Sequence, residues 1–457
     1  MYRFRSVENL IGKFQELKKQ QIYFADLDDL NDPLEGERIY FWKGDVIVWE
    51  NFFKHYLLCL EHVVTLSRLL DENETISKKD IPIYICFNDL PTAIYKERIK
   101  RIYNKFFNDK FVQSYIQFII KNPNKIYANE MYVHLKVLSA RALESITSVD
   151  VEDGLLVNNN IQESYTEQLN IKSANVWDKS NNNEYKKLIE VLREIMKRYD
   201  NELLLEYKDS PKLQSIYIEF PQMYLDSVVE LTCPKSYVAC FMDNYLNSSI
   251  WGTYGNKHTG VCLKFKTDVN NPILELKGIS SWSSSKGYNK EYIKFKLEKI
   301  EYSTEFNEVD FFGNLGCLPK AKLEEQWYKN EDGEISICSD NIFNNTDEWR
   351  KAYDKVYHDT YLKKLPDWSH EREYRIVLKS PLGFYNEKKD RVLEYKFEDL
   401  DEIIFGMKTP KEAKMKIIEI IQNKCDKFGR RNFKFYQMDY SSDKKSLYKR
   451  EILSLNN

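Results

Sequence analysis

WSHEREYRIVL, residues 368–378, reads as a strand entered through a charged turn, and its period-two pattern anchors the architecture expected of the whole chain. On a pleated strand Glu371, Glu373 and Arg375 project from one face, while Arg372 and Tyr374 face the other way. Two carboxylates two positions apart lie roughly 6–7 Å apart at the backbone, close enough to share one substrate. Such a pair divides its labour. One carboxylate holds a ribose hydroxyl and stabilises an oxocarbenium-like centre while the other takes a proton from an incoming nucleophile. Spacing alone favours a plainer reading, in which alternating charges mark the solvated face of an edge strand, and the flanking Trp368 and His370 weaken it only slightly.

Working outward, β patterns recur on both sides of this stretch. SYVACFM from Ser236, TGVCLKFK, YIKFKLEKIEYS and DEIIFGM are rich in β-branched and aromatic residues with turn chemistry between them. The last fifty residues read as a helix, KEAKMKIIEIIQNKC, and a final strand, FKFYQMDY. At the other end, YRFRS alternates Tyr2 and Phe4 with Arg3 and Arg5, which puts two guanidinium groups on one strand face, the side expected to carry function. A helix follows, with Ser6 as N-cap, Glu8 in the first turn, and Leu10, Ile11, Phe14 and Leu17 at helical spacing. QIYFAD is a short strand, and Asn31, Asp32 and Pro33 mark a tight connection in DDLNDPLEGE.

Residues 46–70 are apolar at helical spacing over a length too great for one strand, so they read as a long buried helix; IPIYICFND, 81–89, reads as a strand. Helical patterns dominate 92–228, split by a polar, Asn-rich stretch near 156–183, and return over 321–364. No repeat of 20–50 residues and no low-complexity tail is present. The expected fold is α+β, a mixed β core with a large helical insertion: residues 1–91 and 236–457 form the core, and 92–235 the helical insertion or domain.

Composition narrows the class. The 457 residues are 42% hydrophobic and 30% charged, with few Gly and Pro, as expected of a folded, helix-rich chain. A net charge of -3 argues against a surface built wholly as a nucleic-acid clamp. The eight cysteines contain no C-x-x-C pair and most sit in apolar runs such as YICF and YVACF, which points to free thiols in a reducing cytoplasm. The N-terminus lacks a basic start followed by an apolar region, and no window reaches a membrane-spanning run, so neither export nor insertion is expected. The abundance of Lys, Asn, Ile and Tyr resembles AT-biased coding and favours a bacterial source.

The stretch SSIWGTYGNKHTG, 248–260, is a second concentration of chemistry. Trp251 and Tyr254 in one turn suit stacking on a flat ring, and His258 near Gly260 suits close approach to a phosphate or ribose. For an isolated pair at i and i+3, core aromatics of a short helix are the better reading. His258 has no second histidine or carboxylate at the spacing zinc needs. Phosphate-loop, dinucleotide-fold, zinc-protease and serine-hydrolase signatures are all missing. SSWSSSKG, 280–287, reads as a flexible surface turn.

Taken in order, YRFRS, IYFADLDDLNDPLEGE, VACFMDN followed by IWGTYGNKHTGVCLKF, WSHEREYRIVL and LDEIIFGM resemble the bacterial family known as domain of unknown function 2971, over roughly residues 1–40 and 236–410. That family's layout is similar to a divergent ADP-ribosyltransferase: an early arginine strand, a middle aromatic or serine element, and a late E-x-E. The resemblance implies a β core of that type and NAD as substrate. Arg3 or Arg5 would contact phosphate or ribose, and Trp251 or Tyr254 would stack on nicotinamide, with His258 and Arg375 completing the ligand set. Glu373 would be the catalytic glutamate and Glu371 would activate the acceptor. The middle element lacks the Ser-Thr-Ser of arginine-directed members.

The function expected is therefore an NAD-dependent ADP-ribosyltransferase or NAD glycohydrolase, the effector of an anti-phage or toxin–antitoxin system. Its acceptor would be protein, nucleic acid, a small molecule or water, and a regulatory partner or antitoxin is implied. The helical insertion would select the target or hold the enzyme inactive. Two rivals stand beside it: a metal-dependent nuclease or phosphodiesterase in which Asp32 or Asp367 joins the glutamates, and a non-catalytic nucleotide-binding sensor or adaptor.

Overall fold

In the computed structural model, residues 1–455 are described except 33, 72–73, 157–181, 269, 284, 286 and 381–382. Pro33, most of the Asn-rich stretch 156–183 and part of SSWSSSKG thus lie outside the described residues. The chain divides into two compact units. A sheet unit comprises Met1–Glu37, Lys235–Phe306 and Tyr357–Asn457, and a helical unit comprises Arg38–Pro234 and Asn307–Val356.

The helix Val46–Ser67, which falls in the stretch 1–91 of the sequence reading, lies within the helical unit. It is capped by Asp45, whose carboxylate accepts from Ile47 N and Val48 N at 3.1 and 3.2 Å. It buries Trp49, Phe52 and Phe53 among Tyr224, Phe311, Phe312 and Trp327, all residues of the helical unit. Residues 307–356 supply part of that core, so they belong to the insertion as well.

The principal sheet of the sheet unit has eight strands in the order Ser446–Leu455, Phe433–Ser441, Leu400–Phe405, Val261–Phe265, Tyr2–Arg5, Ser236–Met242, Glu373–Lys379, Glu298–Lys299. All neighbours are antiparallel except Leu400–Phe405 and Phe433–Ser441, which run parallel and are joined through the helix Lys411–Phe428. A second, antiparallel sheet contains Gln21–Tyr23, Val392–Tyr395, Ile273–Ser283 and Gly287–Lys296. One face of the principal sheet, with Tyr237, Phe241, Leu263, Phe265 and Ile376, packs on Ile22, Leu276, Leu393 and Tyr395 of the second and on Ile417 and Ile421 of the helix. The opposite face carries a smaller apolar cluster of Phe4, Met242, Trp251, Cys262, Ile404 and Met438.

The mixed α+β architecture expected from the sequence is present, and most expected strands and helices fall where patterning placed them. Three local readings change. IPIYICFND forms turns and a short 3-10 helix rather than a strand: Ile83 N bonds Ile81 O, and the carbonyls of Ile83 and Ile85 are taken by the side chains of His55 and Gln326 instead of a neighbouring strand. The helix after Ser6 breaks into Val7–Ile11 and Glu16–Lys19, because Glu8 accepts from Lys13 N and Gln15 turns left-handed at φ 55°, leaving Phe14 exposed while Leu10 and Leu17 are buried. FKFYQMDY is not the last strand, since Ser446–Leu455 returns alongside it.

Phe52 has no exposed surface and meets Trp42, Trp49, Phe53, Tyr224 and Phe311 edge-on. Phe52→Ala should destabilise the helical unit by about 3–5 kcal/mol, read as a lower denaturant midpoint with little change in slope.

Candidate functional site

The strand Glu373–Lys379 pairs along its whole length with Ser236–Met242 and, at its start, with Glu298–Lys299. It is therefore not an edge, and its charges are not solvated: Glu373 is 1% exposed and Arg375 0%. The solvated-face reading is overturned by that burial. Glu371 precedes the strand rather than lying on it. It closes the 3-10 turn Pro366–Glu371, and Arg372, left-handed at φ 49°, redirects the chain into the strand. The backbone cost of that conformation is on the order of 1 kcal/mol, offset in part by the Arg372 ion pair to Asp243 at 2.8 Å. Glu371 is nonetheless 1% exposed, and one cation ties the two glutamates together.

That cation is Lys364, from the two-residue strand Lys363–Lys364, which pairs with Glu301–Tyr302. Its ammonium donates to Glu371 Oε2 at 2.8 Å and Glu373 Oε2 at 3.2 Å, lies 3.7 Å from Glu35 Oε2, and sits 4.6 Å from the centre of the Trp368 ring. Arg375 donates from Nε to Glu373 Oε1 at 2.7 Å and from Nη1 to Tyr361 O at 2.9 Å, and its Nη2 pairs with Glu35. Tyr302 accepts from the Glu373 amide at 2.9 Å, the Cys240 thiol lies against the Glu373 carboxyl, and the Tyr254 phenol lies against Glu371. Three carboxylates thus face two cations, all five side chains largely withdrawn from solvent, with the half-buried Tyr254 and Trp368 beside them. Among the described residues, three acceptor atoms there, Glu35 Oε2, Glu371 Oε1 and the nearby Asp32 Oδ2, are buried without a hydrogen-bond partner.

Electrostatics follow from this count. With all groups ionised the cluster holds one excess negative charge, and burial makes that expensive. Desolvation pushes the Glu373 carboxyl up to about 7; Lys364 and Cys240 oppose the shift and Glu371 adds to it. The proton belongs to the interacting group rather than to one residue alone. Lys364 is held above its ordinary value, because the pull of Glu373, Tyr254 and Glu371 together outweighs its burial. The Tyr254 phenol is raised by burial, with the glutamates adding to the shift. A carboxyl raised toward neutrality beside a second carboxylate is suited to accept or return a proton.

The other expected site residues are distributed differently. Tyr2, Met242 and Glu373 stand abreast across three strands, so their side chains share a face, and Arg3 and Arg5 point to the opposite one. Arg3 donates to Cys240 O at 3.2 Å and Tyr23 O at 3.0 Å and lies over the Phe241 ring, while Arg5 is paired with Glu16. The arginines are structurally engaged and do not join the glutamates. Trp251 is fully buried, edge-on to Phe4 at 4.9 Å with its Nε1 donating to Tyr245 O at 2.7 Å, which matches the core reading for that residue. His258 stacks on Trp251 at 6.5 Å, and burial lowers its pKa, with Lys408 adding to the effect. Only Tyr254, of the three residues expected in the middle element, reaches the carboxylates.

The turn that carries His258 is held by strain and close packing. Asn256, Lys257 and His258 are successively left-handed, at φ 47°, 54° and 68°. A Cβ on Gly260 would meet Arg5 O at 2.7 Å and one on Gly406 would meet His258 O at 2.3 Å, so both positions require glycine.

Four participants escape sequence reasoning: Glu35, Lys364, Cys240 and Tyr302. Glu35 lies in DPLEGE, a stretch singled out for its turn and its place in the motif order, and that was the one available signal. Lys364 sits in a charged run, and Cys240 and Tyr302 in apolar strand patterns, where nothing distinguishes them.

Residues 250–376 match a family model described as protein of unknown function (DUF2971), which supports the relation to that family over the stretch containing Tyr254, Tyr302, Lys364, Glu371, Glu373 and Arg375. No curated protein and no solved structure matches the chain.

The raised Glu373 carboxyl has a stability consequence. Unfolded, Glu373 loses its proton near 4.5; folded, it keeps it to about 7, so the native state binds more protons in that window and stability falls as pH rises through it. The contribution is on the order of 3 kcal/mol. Glu373→Gln should flatten the dependence of unfolding free energy on pH between 4.5 and 7 by up to one proton, measured by denaturant titration across that range.

Proposed function

We propose that the sheet unit is an NAD-dependent ADP-ribosyltransferase or NAD glycohydrolase centred on Glu373 and Glu371. The observation that carries this reading is the carboxyl pair itself, buried on Lys364, with Glu371 Oε1 lacking a donor among the described residues; burial raises the Glu373 carboxyl toward neutrality. In this scheme Glu373 accepts a hydrogen bond from the nicotinamide ribose and its charge steadies the developing oxocarbenium centre. Glu371 takes the proton of the attacking acceptor or water. Lys364 holds both carboxylates in register. Tyr254 and Trp368, each half-buried beside the pair, are the groups suited to flank a flat ring.

Because Arg3 and Arg5 lie on the other face of the sheet, the dinucleotide phosphates fall to other groups, and His258 with the neighbouring Lys408 is on the glutamates' side. The metal-nuclease reading gains no observation of its own: Lys364 and Arg375 already occupy the carboxylates, and no grouping of three or more His, Cys, Asp or Glu suited to a metal ion occurs among the described residues.

Incubation of the full chain with NAD, with and without cell lysate as acceptor, should release nicotinamide. Glu373→Gln should reduce that release by about 10²–10⁴-fold while leaving the fold intact by circular dichroism. No release in either mixture, together with no heat of NAD binding by calorimetry, would sink the proposal.

A further inference from the structure

The helical unit holds a groove that the glutamate cluster does not use. One face of the Val46–Ser67 helix, one face of the Ala93–Phe107 helix and the turn Glu324–Tyr328 with the residues after it enclose two adjoining cavities of about 660 and 570 Å³. They share Lys54, Tyr103, Asn104, Asn330 and Glu331 and so form one groove. Each lobe is of the size that takes a small organic ligand. Glu324–Tyr328 is π-helical, an uncommon geometry that recurs at functional sites, and it turns Gln326 into the larger lobe.

The lining has three features that point to one ligand class. Tyr103 and Phe87 form an aromatic wall, their ring centres 6.2 Å apart. Lys54 is committed to Glu331 at 2.8 Å and Lys100 lies in the field of the same carboxylate, but neither Lys100 nor Lys329 makes a close ion pair or side-chain hydrogen bond among the described residues, and Glu325 is the other carboxylate of this lobe. Gln326 donates to Ile85 O at 2.7 Å, which fixes its amide and leaves Oε1 buried with no donor among the described residues. With Lys54 neutralised by Glu331, a π surface, the two remaining ammonium groups against the one remaining carboxylate, and an amide acceptor without a donor among the described residues match a flat ring that bears both an amino group and an anion.

We infer that this groove binds a nucleotide, with the base against Tyr103, its exocyclic amino group donating to Gln326 Oε1, and its phosphate on Lys100 and Lys329. The site is independent of the NAD reading above and lies wholly within the helical unit. A peptide would use the amides of the groove but has no need of a ring wall beside an excess of lysine.

The test uses the full chain carrying Glu373→Gln, so that turnover is suppressed, with AMP and adenosine as probes in titration calorimetry. AMP should bind; Tyr103→Ala should weaken it at least tenfold. Lys100→Ala combined with Lys329→Ala should weaken AMP at least tenfold and leave adenosine unchanged, with melting temperatures confirming folded protein. Absence of AMP binding at millimolar concentration overturns the inference. So does AMP binding that all three groove substitutions leave unchanged and Glu371→Ala abolishes, which would put the nucleotide at the glutamate cluster instead.

Discussion

The rest of the sheet unit is arranged around one electrostatic constraint: Arg375 and Lys364 are removed from water, and each ion so buried costs several kcal/mol before its partners are counted. Neither can sit there without carboxylates, and the carboxylates cannot sit there without them. Glu373 touches both cations, Glu35 and Glu371 complete the set, and a carbonyl from Tyr361 takes the remaining guanidinium donor. Such a network adds little net stability compared with apolar packing. What it supplies is definition, because each charge has few positions in which it is satisfied, and reacting groups held that way need no reorganisation.

The two faces of the principal sheet express this division. The register that sets Tyr2, Met242 and Glu373 abreast sends Arg3, Phe241 and Ile376 to the apolar sandwich and Phe4, Cys240 and Arg375 to the other side. A slip of one residue in the Glu373–Lys379 strand would exchange Ile376 for Arg375 in the sandwich. Apolar packing on one face and ion pairing on the other therefore enforce the same register from opposite directions.

Much of this was legible in the chain. Alternation in EYRIVL, and β-branched and aromatic residues in SYVACFM and VCLKFK, identified strands, and a long run at helical spacing identified the helix Val46–Ser67. Two kinds of information were not local. The burial of Glu373 depends on which strands flank it, and a strand's own pattern does not say whether it is an edge. The face on which Arg3 lies relative to Glu373 depends on register across three strands, so two motifs that look complementary in sequence end on opposite sides of a sheet. IPIYICFND misled for a related reason: its apolar residues are buried, but side chains of His55 and Gln326 serve its carbonyls, and periodicity carries no trace of that.

The chain passes between the two units near residues 37, 234, 306 and 356, and the segments that lead to three of these crossings each lend a residue to the cluster: Glu35, Tyr302 and Lys364. The helical insertion is thus not an appendage that can be spliced out at convenience. A minimal sheet unit, or a circular permutant opened at these crossings, keeps its carboxyl geometry only if residues 32–37, 300–303 and 363–365 stay tethered as they are, which makes these three short runs the fixed points for any re-engineering of the chain.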